Sequence, residues 1–510
     1  MSRTSKARSR DRIRESFDLY TWGHGGQGAL GNSAFRDELE PYLVSGLRAN
    51  GGTVLVGCGF DHTIAVTGDM RARGWGRAAE GQLGLESHDG VLESPRGGGC
   101  VLSPALIGLC EGDAPAAIQA VACGGMHTLL MTMPRSSRDD PVVFSFGRGA
   151  EGQLGTASEG LVPSSSAAAA VDLPTELPCV LVEAGGMHSC ALSNHGHVFI
   201  WGDGSNGQLG LSSNVREITP RVLPSTAFEG RAQLERKVPI KVSALEEGGR
   251  EFTVLGRKHA PLRIESIACG MYHTVAITVE GELYSWGVNS DGQLGLDDTE
   301  TRYFPSKLPG RHDAIQVACG GRHTIALGMR GDGAATVWSC GCNNHGQLGH
   351  GDGCIGATGA WRLTEVEALS DEQVVQISCG GAHTAAVTSD GTLYTWGKNH
   401  NGQLGLGHVE SVGGPTKVSV LEQRAAWVAC GGAHTACLVK LGADGVQAAQ
   451  GLSSMVGGGS TSDRLQSGRS SIASSARDTT DRGSERTSAI SGRSDATDDR
   501  TNRSAGNTGR

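Results

Sequence analysis

Ile377 to Gly405 reads ISCGGAHTAAVTSDGTLYTWGKNHNGQLG, and its two halves recur along the chain with small changes. The Gly-Gly-x-His-Thr half returns as CGFDHT at Cys58, CGGMHT at Cys123, AGGMHS at Ala184, CGMYHT at Cys269, CGGRHT at Cys319, and CGGAHT at Cys379 and Cys430. The other half, Trp-Gly-x4-Gly-Gln-Leu-Gly, begins at Trp22, Trp75, Phe146, Trp201, Trp286, Cys340 and Trp396, its first copy altered to WGHGGQGALG. Self-similarity at a period of this length is the mark of a solenoid, propeller or array, and it outranks any local motif.

Within one cell, HTAAVTSDGTLYTW alternates apolar with small or polar residues on both sides of Asp390-Gly391, which is a hairpin pattern with a tight turn. Short antiparallel strands joined by Gly-rich turns, repeated radially, build a propeller. The expected fold is therefore all-β, a seven-bladed β-propeller over residues 18–440. The chain opens on a lone second half at Leu19 and closes on a lone first half at Val428. A blade assembled from N- and C-terminal strands would close the ring and leave no open sheet edge.

Composition agrees with a turn-rich ring: 79 of 510 residues are Gly, and aromatics make up 5 %. The net charge of -9 is uneven along the chain. Residues 1–17 hold six basic and two acidic residues, and residues 441–510 hold nine Arg against eight acids, leaving -14 for the ring. An acidic ring binds phosphate poorly and suits a basic protein surface. The expected partner is thus a protein, with nucleic acid restricted to the basic arm 1–17 and no membrane.

Six of the fourteen cysteines share one repeat position, filled by Ala184 in the seventh cell. They read as small buried hydrophobes of a reducing compartment, cytoplasm or nucleus. No apolar stretch follows the charged N-terminus, so a signal peptide is not expected. Residues 441–510 contain no Phe, Trp, Tyr, Cys, His or Pro and are expected to be disordered. RLQSGRSS at Arg464 and RTS at Arg486 resemble sites of basic-directed kinases. Gly97–Pro115 and Thr156–Pro178, the latter containing SSSAAAA, read as flexible loops. The insert 211–263 carries strand-like runs at Val238 and Glu251, which suggest a hairpin arm.

With the repeat laid out, CGGxHT followed by a Asp-Gly hairpin and WGxxxxGQLG resembles the regulator of chromosome condensation repeat, from Leu19 to Val439. That resemblance implies a seven-bladed propeller. It also implies either a binding module or, as in the founding member, a nucleotide exchange factor for the GTPase Ran, which it contacts through a short β-wedge. A photoreceptive member carries its chromophore tryptophans in a CGWRHT version of the first half. This chain has Gly, Met or Phe there, so photoreception is not expected.

Seven histidines, His62, His127, His188, His273, His323, His383 and His434, recur once per cell. A catalytic group is needed once per site, so these read as structural, each a hydrogen-bonded imidazole fixing its Gly-Gly turn. Trp22, Trp75, Trp201, Trp286 and Trp396 read as fillers between blades. Three Gly-x-Gly-x-x-Gly matches, at Gly23, Gly147 and Gly202, lie inside the repeat loop and lack the βαβ context of a dinucleotide site. The cluster Cys340, Cys342, His345, His350 and Cys354 does not have zinc-site spacing, and neither metal nor cofactor is expected. Asp61, Tyr272 and Arg322 break the pattern before the histidine and are the partner-surface residues to examine. The expected function is a non-enzymatic protein-binding propeller, a scaffold or adaptor, with guanine-nucleotide exchange on a Ran-type GTPase as the alternative.

Overall fold

The structure is a computed structural model. It describes residues 17–440 apart from 86–89, 112–113, 137–138, 157–161, 212–215, 224–251, 255–256, 260–261, 311, 357–358 and 422–423. The arm at 1–16, the run at Val238 and the tail at 441–510 lie outside the described residues.

The ring has seven antiparallel sheets, each read outward from the axis. Blade 1 runs Thr53–Cys58, His62–Thr67, Ala72–Arg77, Gly99–Leu106, with Leu92–Glu93 added outside. Blade 2 is Ile118–Cys123, His127–Thr132, Val143–Arg148, Ser164–Ala170. Blade 3 is Cys179–Ala184, His188–Ser193, Val198–Gly202, Glu217–Leu223, and blade 4 is Ile264–Cys269, His273–Thr278, Leu283–Gly287, Arg302–Lys307. Blade 5 is Ala314–Cys319, His323–Met329, Ala335–Gly341, Ala360–Glu365, and blade 6 is Val374–Cys379, His383–Thr388, Leu393–Gly397, Val412–Lys417.

Blade 7 is the clasp. Asp18–Gly23 lies between Glu38–Leu43 and His434–Lys440, with Arg424–Cys430 innermost, so both chain ends share one sheet. Trp22 pairs with Thr435 in that register and is fully buried.

Three expectations made outside the ring's inner strands need correction. SSSAAAA is not a loop but the outer strand of blade 2, and Gly99–Leu106 is the outer strand of blade 1. Likewise the insert does not begin at 211, because Glu217–Leu223 is the outer strand of blade 3. Outer strands face solvent, so they need no alternating apolar pattern, and pattern reading overlooks them. In the insert, Phe252–Val254 pairs with Arg257–His259, and the rest of the expected hairpin arm lies outside the described residues.

In each blade the first strand ends, and the second begins, at the Gly-Gly-x-His turn, and the third ends beside it: His273 pairs with Gly287. The Gly-Gln-Leu-Gly loops leave from that same end. One face of the ring therefore carries all the Gly-Gly-x-His turns and is called here the histidine face. Connections between blades lie on the opposite face, as the pairing of Tyr284 with Lys307 and of Ile264 with Thr278 places them.

Candidate functional site

The histidine face is built by one hydrogen-bond unit at every blade junction. His62 Nε2 lies 3.0 Å from Thr128 Oγ1 of blade 2, His127 reaches Ser189, and His188 reaches Thr274. His273, His323 and His383 reach Thr324, Thr384 and Thr435, and His434 returns to Thr63, 2.9 Å away, closing the circle. Each hydroxyl donates onward to the Gln carbonyl of the preceding blade's loop, as Thr384 does to Gln347 at 2.8 Å. In the altered first copy Ala29 occupies that place and its backbone carbonyl serves equally.

The proton positions follow. A hydroxyl has one hydrogen and spends it on the carbonyl, so it must accept from the imidazole, which is therefore Nε2–H. The same carbonyl accepts the indole N–H of the next blade's tryptophan: Trp22 to Gln403, Trp75 to Ala29, Trp201 to Gln153, Trp286 to Gln208 and Trp396 to Gln347, all at 2.9–3.0 Å. Phe146 has no donor, and Cys340 offers a thiol at 3.6 Å to Gln293. Burial pushes the imidazoles down, to about 3 for His62, His188, His323, His383 and His434 and about 4 for His127 and His273.

The Gly-Gly turn itself is closed by backbone, not by the ring: Gly320 N–H donates to the His323 carbonyl at 2.9 Å. The glycine is required because the imidazole lies flat against it. A Cβ on Gly320 would stand 2.1 Å from His323 Cε1 and 2.6 Å from the Gly380 carbonyl. The histidine hydrogen bond thus joins neighbouring blades rather than fixing its own turn.

On the axis, the innermost strands line a cavity of about 230 Å³. Cys58, Cys123, Cys269, Cys319, Cys379 and Cys430 face it, and none is in a disulfide. Glu183 lines it too, and burial pushes its carboxyl up to about 8.

The pattern-breaking residues lie on the histidine face, where each sits one place before a latch histidine. Arg322 forms an ion pair with Asp291 of blade 4 at 2.5 Å, while Asp61 and Tyr272 give their backbone carbonyls to Arg77 and Val288. Tyr303 and Trp361 begin the outer strands of blades 4 and 5 on the same face and stay 38 % and 47 % exposed. Pattern reading missed both, since outer strands carry no repeat signature.

The junction cluster expected to hold no metal is spread over separate hydrogen bonds. His350 Nε2 bonds Ser339 at 2.8 Å, the Cys354 carbonyl accepts from Asn343, and Cys340 fills the tryptophan place. A second group the sequence did not signal pins the clasp. His24 Nδ1 lies 3.0 Å from Asp37, which also accepts from Asn401 of blade 6 at 2.9 Å. Burial would raise the Asp37 carboxyl, but hydrogen bonds from His24, Asn401 and Gly25 outweigh it and hold it near 2.

A family model described as the RCC1-like domain matches residues 100–437, and one for the regulator of chromosome condensation repeat matches residues 18–66. The chain belongs to the RCC1-like domain family. It is 31 % identical over 393 residues to the Ultraviolet-B receptor UVR8 of Arabidopsis thaliana, covering 75 % of this chain and 73 % of that one. It is 28 % identical to the human Regulator of chromosome condensation, over 86 % of this chain and 94 % of that one. Among solved structures, human WBSCR16 superposes with a TM-score of 0.65 at 25 % identity, covering 83 % of this chain and 100 % of that one. In the fifth-blade turn of this RCC1-like propeller a Cβ on Gly321 would lie 2.5 Å from the Gly381 carbonyl, so the backbones of adjacent blades meet there. Among the described residues no helix is long and apolar enough to cross a membrane.

Proposed function

We propose that this propeller is a non-enzymatic protein-docking module that binds through the blade 4–5 sector of its histidine face. The observation that carries the reading is where the exceptions fall. The repeated histidines are buried, and each commits its Nε2–H to the latch, so none is presented to a partner at the surface. Tyr272 and Arg322, the latter paired with Asp291, instead break the repeat, and Tyr303 and Trp361 stand exposed at the starts of the outer strands of the same two blades, on the same face. Aromatic and Arg side chains are the residues that most often anchor protein interfaces. The -14 charge of residues 18–440 favours a basic partner.

A second reading, nucleotide exchange on a Ran-type GTPase, is supported by the likeness to the human Regulator of chromosome condensation and by Prp20p of Saccharomyces cerevisiae. That yeast protein's crystal structure is reported with binding to Gsp1p and histones, and it has a TM-score of 0.63 at 21 % identity. Exchange needs no bond chemistry, because tighter binding to the nucleotide-free GTPase speeds release by itself. The two readings use opposite faces. Leu223 and Ile264, between which the insert runs, end on the face away from the latch.

The test has two variants. One replaces Tyr272, Tyr303 and Trp361 with Ala, and the other replaces 236–258 with a short Gly-Ser loop. Capture of a partner from extract, lost in the first and kept in the second, supports the docking reading. Accelerated release of labelled GDP from a Ran-type GTPase, lost only in the second, would replace it with exchange.

A further inference from the structure

The seven inner strands pair with their second strands in one register, which makes every departure visible. Beside the turn the pairs are Gly57 with Ile64, Ala122 with Leu129, Ala268 with Val275 and Ala318 with Ile325. Ser378 pairs with Ala385 and Ala429 with Ala436. Every such pair sets Gly, Ala or Ser against an aliphatic residue. Blade 3 instead sets Glu183 against Cys190.

Neither replacement is explained by packing. A carboxyl costs several kcal/mol to bury as an anion without a partner, and Cys190 puts a thiol where the other blades have Ile, Leu, Val or Ala. The two meet a third unusual neighbour across the junction. Cys269 of blade 4 points its sulfur at Cys190 Sγ, 3.2 Å away, whereas Cys319 and Cys379 at the same ring position turn theirs toward backbone carbonyls. One ring nitrogen of His188 joins them: among the described residues, His188, Cys190 and Cys269 are the one set of three such donors lying within 4.8 Å of one another, and all three are buried. His188 Nδ1 has no hydrogen-bond partner, so its lone pair is uncommitted. That holds at other junctions too, and it is the two sulfurs and Glu183 that single out this one.

We propose that His188, Cys190 and Cys269, with Glu183 beside them, form a buried site for one thiophilic d10 cation of the zinc class, entered from the axial cavity. The ligand types decide the class. Two thiolates and an imidazole are the donor set of Zn²⁺ and its soft congeners, while hard Mg²⁺ and Ca²⁺ take oxygen. Bonds of about 2.0–2.3 Å to nitrogen and sulfur fit donors at this spacing. The fourth position falls to a water from the cavity, which Glu183 lines beside the triad. An entering dication displaces the thiol protons, which leave to solvent through the cavity, and the two thiolates neutralise its charge. Bound there, the ion would bridge blades 3 and 4 at the junction where the insert interrupts the ring.

Cd²⁺ is the probe. The full chain carrying Cys110→Ser, which removes an exposed thiol, is stripped under reducing conditions and titrated, with bound ion counted by atomic emission and followed by sulfur-to-cadmium absorption. One ion per chain is expected. Affinity should fall at least tenfold in Cys190→Val and in Cys269→Ala, and hold in Cys430→Ala, which removes a thiol of the same ring away from the triad. Should Cys190→Val fold poorly, Glu183→Gln keeps the shape and should weaken binding severalfold, with circular dichroism confirming the fold. An intact chain that binds no ion, or triad variants that bind as well as Cys430→Ala, would overturn the site. A Cys190–Cys269 disulfide in chain purified without reductant would overturn it as well, by assigning the pair to oxidation.

Discussion

The inner three strands of each blade and its outer strand obey different rules. Inside, the His-Thr steps, the tryptophans and the Gly-Gly turns repeat almost without change, because each takes part in a contact that the next blade must reciprocate. At the outer edge the residue facing the preceding blade's loop is Leu39, Leu102, Ser166, Ile218, Tyr303, Trp361 or Gly413, according to the blade. The inner position is fixed by side-chain geometry, and the outer one by backbone alone. Sequence constraint therefore falls off with distance from the axis, and variation that a partner could read accumulates at the rim.

Removing a whole inner element should break this most severely. Deletion of residues 1–30 takes away Asp18–Gly23, which is hydrogen-bonded on both sides, together with the buried Trp22. The expected outcome is loss of the cooperative thermal transition. A deletion variant that melts like the full chain would mean that the ring closes some other way.

Acid comes next, because it loads all seven latches together. The imidazoles are neutral in the ring, with pKa values of about 3 to 4, but bind protons near 6.5 once unfolded. Between those values the unfolded chain holds more protons, so this stability is complete above pH 6.5 and is lost as pH falls toward 4. The loss is on the order of 1 kcal/mol per histidine for each pH unit. Urea midpoints at pH 7.5, 6 and 5 should decline steeply, and a flat profile would remove the latch as described. A single turn is a smaller matter: Gly320→Ala, which drives a Cβ into the His323 ring and the Gly380 carbonyl, should cost about 3 kcal/mol by chemical denaturation.

The same gradient explains what could be read in advance. The blade count and the clasp were legible in the sequence, because buried reciprocal contacts force a repeated spelling. The direction of the latch was not: His323 is followed by Thr324, yet it bonds Thr384 of the next cell, and adjacency in sequence hides that. SSSAAAA read as a loop because seven small residues carry no period, although Phe144 and Ser145 pair with Ala170 and Ala169. At the candidate surface, Asp61, Tyr272 and Arg322 could be found as breaks in an inner motif. Tyr303 and Trp361 could not, lying where no motif exists to be broken.

The smallest expected effect is the sharpest test of the gradient. Ala167 stands mid-way along the outer strand of blade 2 with its side chain exposed. The close contact nearby is made by main chain, since a Cβ on Gly81 would meet the Ser165 carbonyl and the Ser166 nitrogen at 2.6 Å. Ala167→Thr leaves that contact alone and adds a β-branched residue to a strand, which favours extended backbone slightly. Stability should change by less than about 0.5 kcal/mol, and in the stabilising direction if at all. A loss above about 1 kcal/mol would mean that the outer strand is constrained by its side chains after all. Trp361 and Tyr303 would then be explained by blade packing, and the reason for assigning them to a partner would be gone.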